Sequence, residues 1–145
     1  MTSPTARTLA RCEKLGLRAG IVERYRSFVV GRAPTGETLS RGGKKSDLFG
    51  FIDVLAFGDG ATYAIQTTVT GSASKRRDKI EAECADALAE VLRAGWLVEV
   101  WGWAKRGAVG KRKLWTLKRE RLVGPGAWEE VGCTPPTGTD GGIEA

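Results

Sequence analysis

The residue that most clearly suggests chemistry is Asp53, which lies within the apolar run Phe51-Ile52-Asp53-Val54-Leu55. Burying a carboxylate costs several kcal/mol unless it is paired or bound to a cation. A second β-rich run follows, containing Gln66, and the turn residues Gly58-Asp59-Gly60 separate the two runs. The pattern predicts a hairpin centred between Asp59 and Gly60, which places Asp53 opposite Gln66.

A carboxylate and an amide carbonyl on adjacent strands supply the hard oxygen ligands that Mg²⁺ or Mn²⁺ prefers. Bound Mg²⁺ keeps several waters and binds substrate phosphate oxygens. A structural hydrogen bond between Asp53 and Gln66 explains the spacing equally well. Asp47 precedes the strand with the same parity as Asp53, so it is either an auxiliary ligand or a loop cap, and we favour the cap.

The charge of the chain points to a polyanionic partner. The 145 residues include 23 Lys and Arg against 17 Asp and Glu, a net charge of +6. Residues 124–145 contain four acids and no base, so residues 1–123 hold 23 bases and 13 acids, a net charge of +10. The expected partner is therefore a polyanion that binds residues 1–123.

Several classes of site are excluded by composition. The chain has no histidine, which excludes Ser/His and Cys/His nucleophiles, histidine-ligated metals and nucleases with a histidine base. Its three cysteines, Cys12, Cys84 and Cys133, form no C-x-x-C pair, so we expect reduced structural thiols. No segment has the pattern of a signal peptide or a membrane span, and we expect a cytoplasmic protein with no membrane partner.

The residue patterns predict one folded domain over residues 1–123. Helices are predicted over residues 4–18 and 72–94, the first capped by Ser3. Residues 31–46 are expected to form a long flexible loop. Strands are predicted over residues 21–30, 48–57, 61–69, 96–103 and 111–123. Residues 124–145 are rich in Gly and Pro and are expected to be a flexible tail that does not pack, apart from a contact through Trp128.

This order of elements, together with Asp53 and then Gln66-Thr67-Thr68, resembles the PD-(D/E)XK nuclease superfamily, in particular small Holliday-junction-resolvase-like and phage-type endonucleases. The resemblance implies an α/β fold with a restriction-endonuclease-like αβββαβ core, a mixed central sheet flanked by helices. It also implies a Mg²⁺-dependent DNA endonuclease that hydrolyses phosphodiester bonds by metal-activated water, including those of branched DNA.

The resemblance assigns roles residue by residue. Asp53 corresponds to the metal-binding aspartate, Glu23 to the upstream acid, and Gln66 occupies the glutamate position. Thr68 occupies the position of the lysine, so we take Lys79 in the following helix as the catalytic cation. Because Gln66 is neutral and Thr68 cannot replace a lysine, the alternative is a nuclease-fold protein that has lost catalysis and binds DNA. A basic module that binds an acidic protein is the third hypothesis.

Basic residues outside this motif are the candidate DNA contacts. These residues lie before the first hairpin strand, at the start of the second helix and in the last hairpin: Lys44, Lys45, Arg76, Arg77, Lys111, Arg112 and Lys113. A homodimer is considered as the assembly. Interleaved tryptophans in the last hairpin are typical of a phosphate-binding surface with some stacking. The alternative is a charged, solvated surface over tryptophans that belong to the core, and for the tryptophans we favour it.

Overall fold

The computed structural model describes the backbone of residues 3–32, 34 and 38–132, and the side chains of these ranges except those of residues 25–33 and 35–45. It is a mixed α/β structure in which helices flank a six-stranded mixed sheet. The predicted α/β class, with a mixed sheet flanked by helices, is therefore confirmed, and the restriction-endonuclease-like core stays a prediction. No helix in the described ranges combines the length and the apolar character that a membrane span requires.

The described part of the chain runs from one helix through five strands to two further helices and then three strands. The three helices are α1 (Pro4–Lys14), α2 (Ala73–Glu83) and α3 (Ala85–Arg93), and a 3₁₀ turn, Thr70–Ser72, precedes α2. The strands are β1 (Arg18–Ile21), β2 (Arg24–Arg32), β3 (Thr38–Ser46), β4 (Val54–Gly58), β5 (Ala61–Val69), β6 (Leu97–Arg106), β7 (Leu114–Gly124) and β8 (Ala127–Val131). The main sheet has the order β1-β4-β5-β6-β7-β8, whereas β2 and β3 form a separate two-stranded ribbon.

Two apolar layers hold the helices on opposite faces of the sheet. On one face, Cys12 of α1 packs with Val54, Ile65 and Trp101. On the other face, α2 and α3 contribute to the cluster that contains Val98 and Val100. The alternation of side chains along each strand produces this division, because neighbouring residues point to opposite faces.

The β4–β5 hairpin has the predicted register. Its two-residue turn consists of Asp59 and Gly60, with φ of 51° and 76°, as a type I′ turn requires. Val54 pairs with Ile65, and the N–H of Asp53 donates to the carbonyl of Ile65 at 2.9 Å. Asp53, directly before β4, and Gln66 of β5 are consequently neighbours across the hairpin.

Strands β5 and β6 are parallel, and all other described pairs are antiparallel. The start of β4 therefore lies at the same end of the sheet as the ends of β1, β5 and β6. We call this the cleft end. Gly102 of β6 allows the 3₁₀ turn to cross there, since a Cβ at this position would lie 3.2 Å from the Cα of Thr70. The first turn of α2 is thereby placed at the cleft end.

Five segments of the predicted domain differ from the sequence predictions. The first helix ends at Lys14 rather than at residue 18, because Gly16, with φ of 79°, leaves the helical region. The predicted strand of residues 21–30 is divided between β1 and β2, which belong to different sheets.

The predicted strand over residues 48–57 begins only at Val54, because residues 47–53 form a tight turn. The predicted flexible loop of residues 31–46 contains β3, which pairs with β2. The predicted helix of residues 72–94 is interrupted at Cys84, whose φ of −116° and ψ of 23° leave the helical region.

The folded part also extends beyond the predicted boundary at residue 123. Gly126, with φ of 69°, makes the turn that allows β8 to pair with β7. The indole N–H of Trp128 donates to Glu81 at 2.9 Å, so the expected contact through this tryptophan is present. The prediction of an unpacked tail is wrong for residues 127–131, and residues 133–145, including Cys133, lie outside the described residues.

Candidate metal centre

Asp53 lies between the tight turn and β4, with only 5% of its surface exposed. Its Oδ2 atom accepts hydrogen bonds from Gln66 Nε2 at 2.6 Å and from the backbone N–H of Thr67 at 2.9 Å. Both donors lie on β5, the partner strand. The hairpin thus fixes the position of this carboxylate.

Two further acids converge on Asp53. One carboxylate oxygen from each of Glu23, Asp47 and Asp53 lies within 4.8 Å of the other two, and we call these three residues the carboxylate cluster. Carboxylates this close repel one another unless a proton or a cation lies between them. The cluster therefore has the donor chemistry of a site for a hard divalent cation.

The base of the β2–β3 ribbon brings Glu23 and Asp47 together. Glu23 directly precedes β2 and Asp47 directly follows β3, and the adjacent residues Arg24 and Ser46 are paired. The N–H of Val22 donates to the carbonyl of Asp53 at 2.9 Å, which ties the ribbon base to the start of β4. The resemblance assigns Glu23 the role of the assisting upstream acid and not that of a metal ligand, and for Asp47 the sequence favours a loop cap.

The electrostatic surroundings raise the pKa of Asp53 to about 8. Burial is the largest cause, followed by a hydrogen bond with the Asp47 side chain. The N–H of Thr67 opposes this shift, and repulsion from Asp47 and Glu23 adds to it. Without a cation, Asp53 holds a proton at neutral pH, and a bound cation would displace that proton.

Gln66 faces Asp53 with its amide nitrogen rather than its carbonyl oxygen. This contact is the structural hydrogen bond that the sequence allowed as an alternative. Gln66 is 4% exposed, and its donor role orients Asp53. Direct coordination of a metal by Gln66 stays a prediction.

A cleft of about 520 Å³ opens over the carboxylate cluster. All five predicted catalytic residues line it: Glu23, Asp53, Gln66, Thr68 and Lys79. Arg76 lines it as well, and so do the first residues of α1. Cationic side chains and a helix N-terminus beside a carboxylate cluster favour an anionic ligand that also contacts the bound cation.

The other predicted DNA contacts have different positions. Arg77 forms an ion pair with Glu120 of β7 and does not line the cleft, so its position gives no support to the predicted DNA contact. Lys44 and Lys45 are in β3, and their side chains lie outside the described part of the chain. An exposed segment between β6 and β7 contains the remaining three, Lys111, Arg112 and Lys113.

Two tryptophans of the last hairpin and the two described cysteines follow the structural alternative, whereas Trp115 is half-buried and outside the core. Trp101 and Trp103 are buried, and the indole N–H of Trp103 donates to Thr8 at 3.0 Å. Cys12 and Cys84 are free thiols. Burial raises the pKa of Cys12 to about 11, which makes this thiol unreactive at neutral pH.

Comparison of the chain with models of protein families, with curated proteins and with solved structures finds no match.

Proposed function

We propose that the protein is a Mg²⁺- or Mn²⁺-dependent DNA endonuclease that hydrolyses phosphodiester bonds with a metal-activated water. The observation behind this proposal is the carboxylate cluster at the base of an open cleft in a basic protein. Carboxylate oxygens of three acids that lie within 4.8 Å of one another suit a divalent cation, and the basic residues that line the cleft favour a phosphate ligand for that cation.

Each side chain in the cleft has a distinct proposed role. Glu23, Asp47 and Asp53 would hold the ion, and Gln66 orients Asp53. When bound, the ion would activate a water and neutralise charge that develops on the phosphate. Lys79, exposed on α2 and lining the cleft, supplies positive charge near the reacting phosphate, as a lysine in the motif would.

The distribution of basic residues supports DNA as the substrate. Residues 24–46, which include both strands of the ribbon, contain six bases and one acid, a net charge of +5. The ribbon begins and ends at the carboxylate cluster, and a two-stranded ribbon fits the major groove of DNA. The loop of residues 107–113 and the first turn of α2 lie at the same end of the sheet.

The order of elements is also compatible with the proposal. Without the ribbon, the chain runs α1, β1, β4, β5, α2–α3 and β6, which agrees with the αβββαβ order that the resemblance implied. The cluster is formed within one chain, so the proposed chemistry does not require a homodimer.

The test is cleavage of linear and branched DNA by wild type, Asp53→Asn and Asp59→Asn. Asp59 is an exposed aspartate in the turn at the opposite end of the hairpin, which makes it the matched control. Wild type and Asp59→Asn should cleave with Mg²⁺ and not with EDTA, whereas Asp53→Asn should be at least about a thousandfold slower, the scale of several kcal/mol. Wild-type cleavage by Asp53→Asn would reject the proposal.

A second candidate is DNA binding without cleavage, which the hydrogen bond from Gln66 to Asp53 favours because it satisfies part of the carboxylate without a metal. Thr68 at the lysine position favours it too. In that case wild type would bind DNA with strong salt dependence and leave it uncut with Mg²⁺ or Mn²⁺.

A further inference from the structure

Phe49 has an unusual backbone conformation for an aromatic residue. Its φ is 55°, and Asp59 is the other non-glycine residue with positive φ in the described ranges. Asp59 is in a type I′ turn, where aspartate is common. For a bulky residue such as phenylalanine, positive φ is a genuine outlier, and outliers of this kind cluster at functional sites.

The tight turn imposes this conformation. Leu48 and Ile52 exchange backbone hydrogen bonds at 2.9 and 3.0 Å, and the N–H of Gly50 donates to the carbonyl of Asp47 at 3.0 Å. Phe51 anchors the turn in the core at 1% exposure, whereas Phe49 is 54% exposed. The fold therefore holds an apolar ring towards solvent in a conformation that glycine or asparagine would adopt more easily.

The position of Phe49 relates it to the carboxylate cluster. Its turn is bounded by Asp47 and Asp53, two members of the cluster. Phe49 and Asp47 line a cavity of about 210 Å³ together with Arg24 and Ser46, the paired residues at the ribbon base. Phe49, the basic residue Arg24 and Asp47 of the carboxylate cluster are thus adjacent.

We propose that Phe49 stacks on an unpaired base next to the phosphodiester at the carboxylate cluster, so that the preferred substrate is DNA with unpaired nucleotides. This inference depends on the proposed function. Aromatic side chains bind exposed bases by stacking, whatever the base. A paired base is hidden in the duplex and must first be unstacked, so the ring distinguishes unpaired from paired DNA.

The experiment uses two DNAs with one 2-aminopurine, either in a single-stranded gap or in the fully paired duplex. Binding is measured in EDTA, so that no strand is cut, by 2-aminopurine fluorescence and by anisotropy of a terminal dye. The variants are Phe49→Gly, which removes the ring and the strain, and Phe49→Trp, which keeps a ring. Phe57→Ala is the matched control, since Phe57 is 50% exposed and lies beside the turn at the other end of β4.

For gapped DNA, Phe49→Gly should bind roughly 5- to 150-fold more weakly than wild type, the usual scale of one base–aromatic stack. The 2-aminopurine quenching should disappear, while paired-duplex affinity and the melting temperature of the protein should not fall. Phe49→Trp and Phe57→Ala should behave as wild type.

Two results would overturn the inference while leaving the proposed function intact. One is equal binding of gapped DNA by Phe49→Gly and wild type. The other is an equal loss of affinity for both DNAs, together with a lower melting temperature of the Phe49→Gly protein, which would show that the ring is structural. If wild type binds neither DNA, the inference and the proposed function fail together.

Discussion

Asp53 and Glu99 are both buried acids, but their surroundings differ in kind. Glu99, which is 0% exposed, accepts hydrogen bonds from Arg119 Nε at 2.9 Å and Arg121 Nη2 at 2.6 Å. Trp101 Nε1 donates to it at 2.8 Å. Asp53 instead accepts from neutral donors and faces other acids, and no described lysine or arginine forms an ion pair with it.

The difference separates a structural charge from one suited to a ligand. Two arginines of the chain already neutralise Glu99, so the strand pair β6–β7 gains rigidity and needs no external ion. Asp53 has acidic neighbours, and no lysine or arginine in the described part of the chain forms an ion pair with it. Burial alone therefore does not identify a functional acid. The charges of the neighbouring side chains distinguish Asp53, which is next to acids, from Glu99, which is paired with arginines.

The largest expected effect concerns Glu99. Replacement by Gln removes the charge that compensates Arg119, a side chain only 8% exposed. The free energy of unfolding should fall by about 3–5 kcal/mol, the usual consequence of leaving a buried charge unpaired. Urea denaturation at pH 8 without divalent ions measures it, and Asp53→Asn in the same assay should not be destabilised. A similar loss in both variants would erase the distinction between the two acids.

The next effect, up to about 4 kcal/mol between pH 5 and pH 8, is expected from the titration of Asp53, because one proton taken up on folding changes stability by about 1.4 kcal/mol per pH unit. The pKa of Asp53 rises from 3.8 to about 8 on folding, so the folded protein binds a proton that the unfolded chain releases. This contribution to stability is complete below about pH 4 and is lost as pH rises towards 8.

Unfolding of wild type and Asp53→Asn, compared from pH 5 to pH 8 in EDTA, isolates this contribution. Relative to the variant, wild type should lose stability as pH rises, and Mg²⁺ at pH 8 should restore it. Parallel pH curves for the two proteins would show that Asp53 is ionised throughout.

The smallest effects distinguish the cleft from the loop between β6 and β7. Lys79→Ala should slow single-turnover cleavage at saturating DNA by about a hundredfold, the scale of one positioned electrostatic group. Changing Lys111 and Arg112 to Ala should leave that rate unchanged. It should reduce the slope of log affinity against log salt by about 0.9 for each lost phosphate contact.

Lys75→Ala is the matched control for Lys79, since Lys75 is exposed on the same helix but is not among the residues that line the cleft. If Lys79→Ala alters affinity without altering the rate, Lys79 is a phosphate contact and Arg76 becomes the next candidate for the cation.

The sequence was sufficient where short-range geometry decides the structure. The two-residue turn at Asp59 and Gly60 fixes the hairpin register, so Asp53 and Gln66 could be placed together in advance. The ribbon could not be predicted from the sequence, because the glycines and bases of residues 31–46 are typical of a loop. Its pairing brings Asp47 to the cluster, and the ion pair between Arg77 and Glu120 likewise depends on contacts between distant segments.

Crystallography of the protein with Mn²⁺ at pH 8, using the anomalous signal of the metal, is the most direct test of the central claim. We predict one Mn²⁺ ion with oxygens of Glu23, Asp47 and Asp53 at about 2.0–2.3 Å, the range for oxygen ligands of small divalent cations. No anomalous peak at saturating Mn²⁺, with Asp53 still hydrogen-bonded to Asp47 and Gln66, would contradict it.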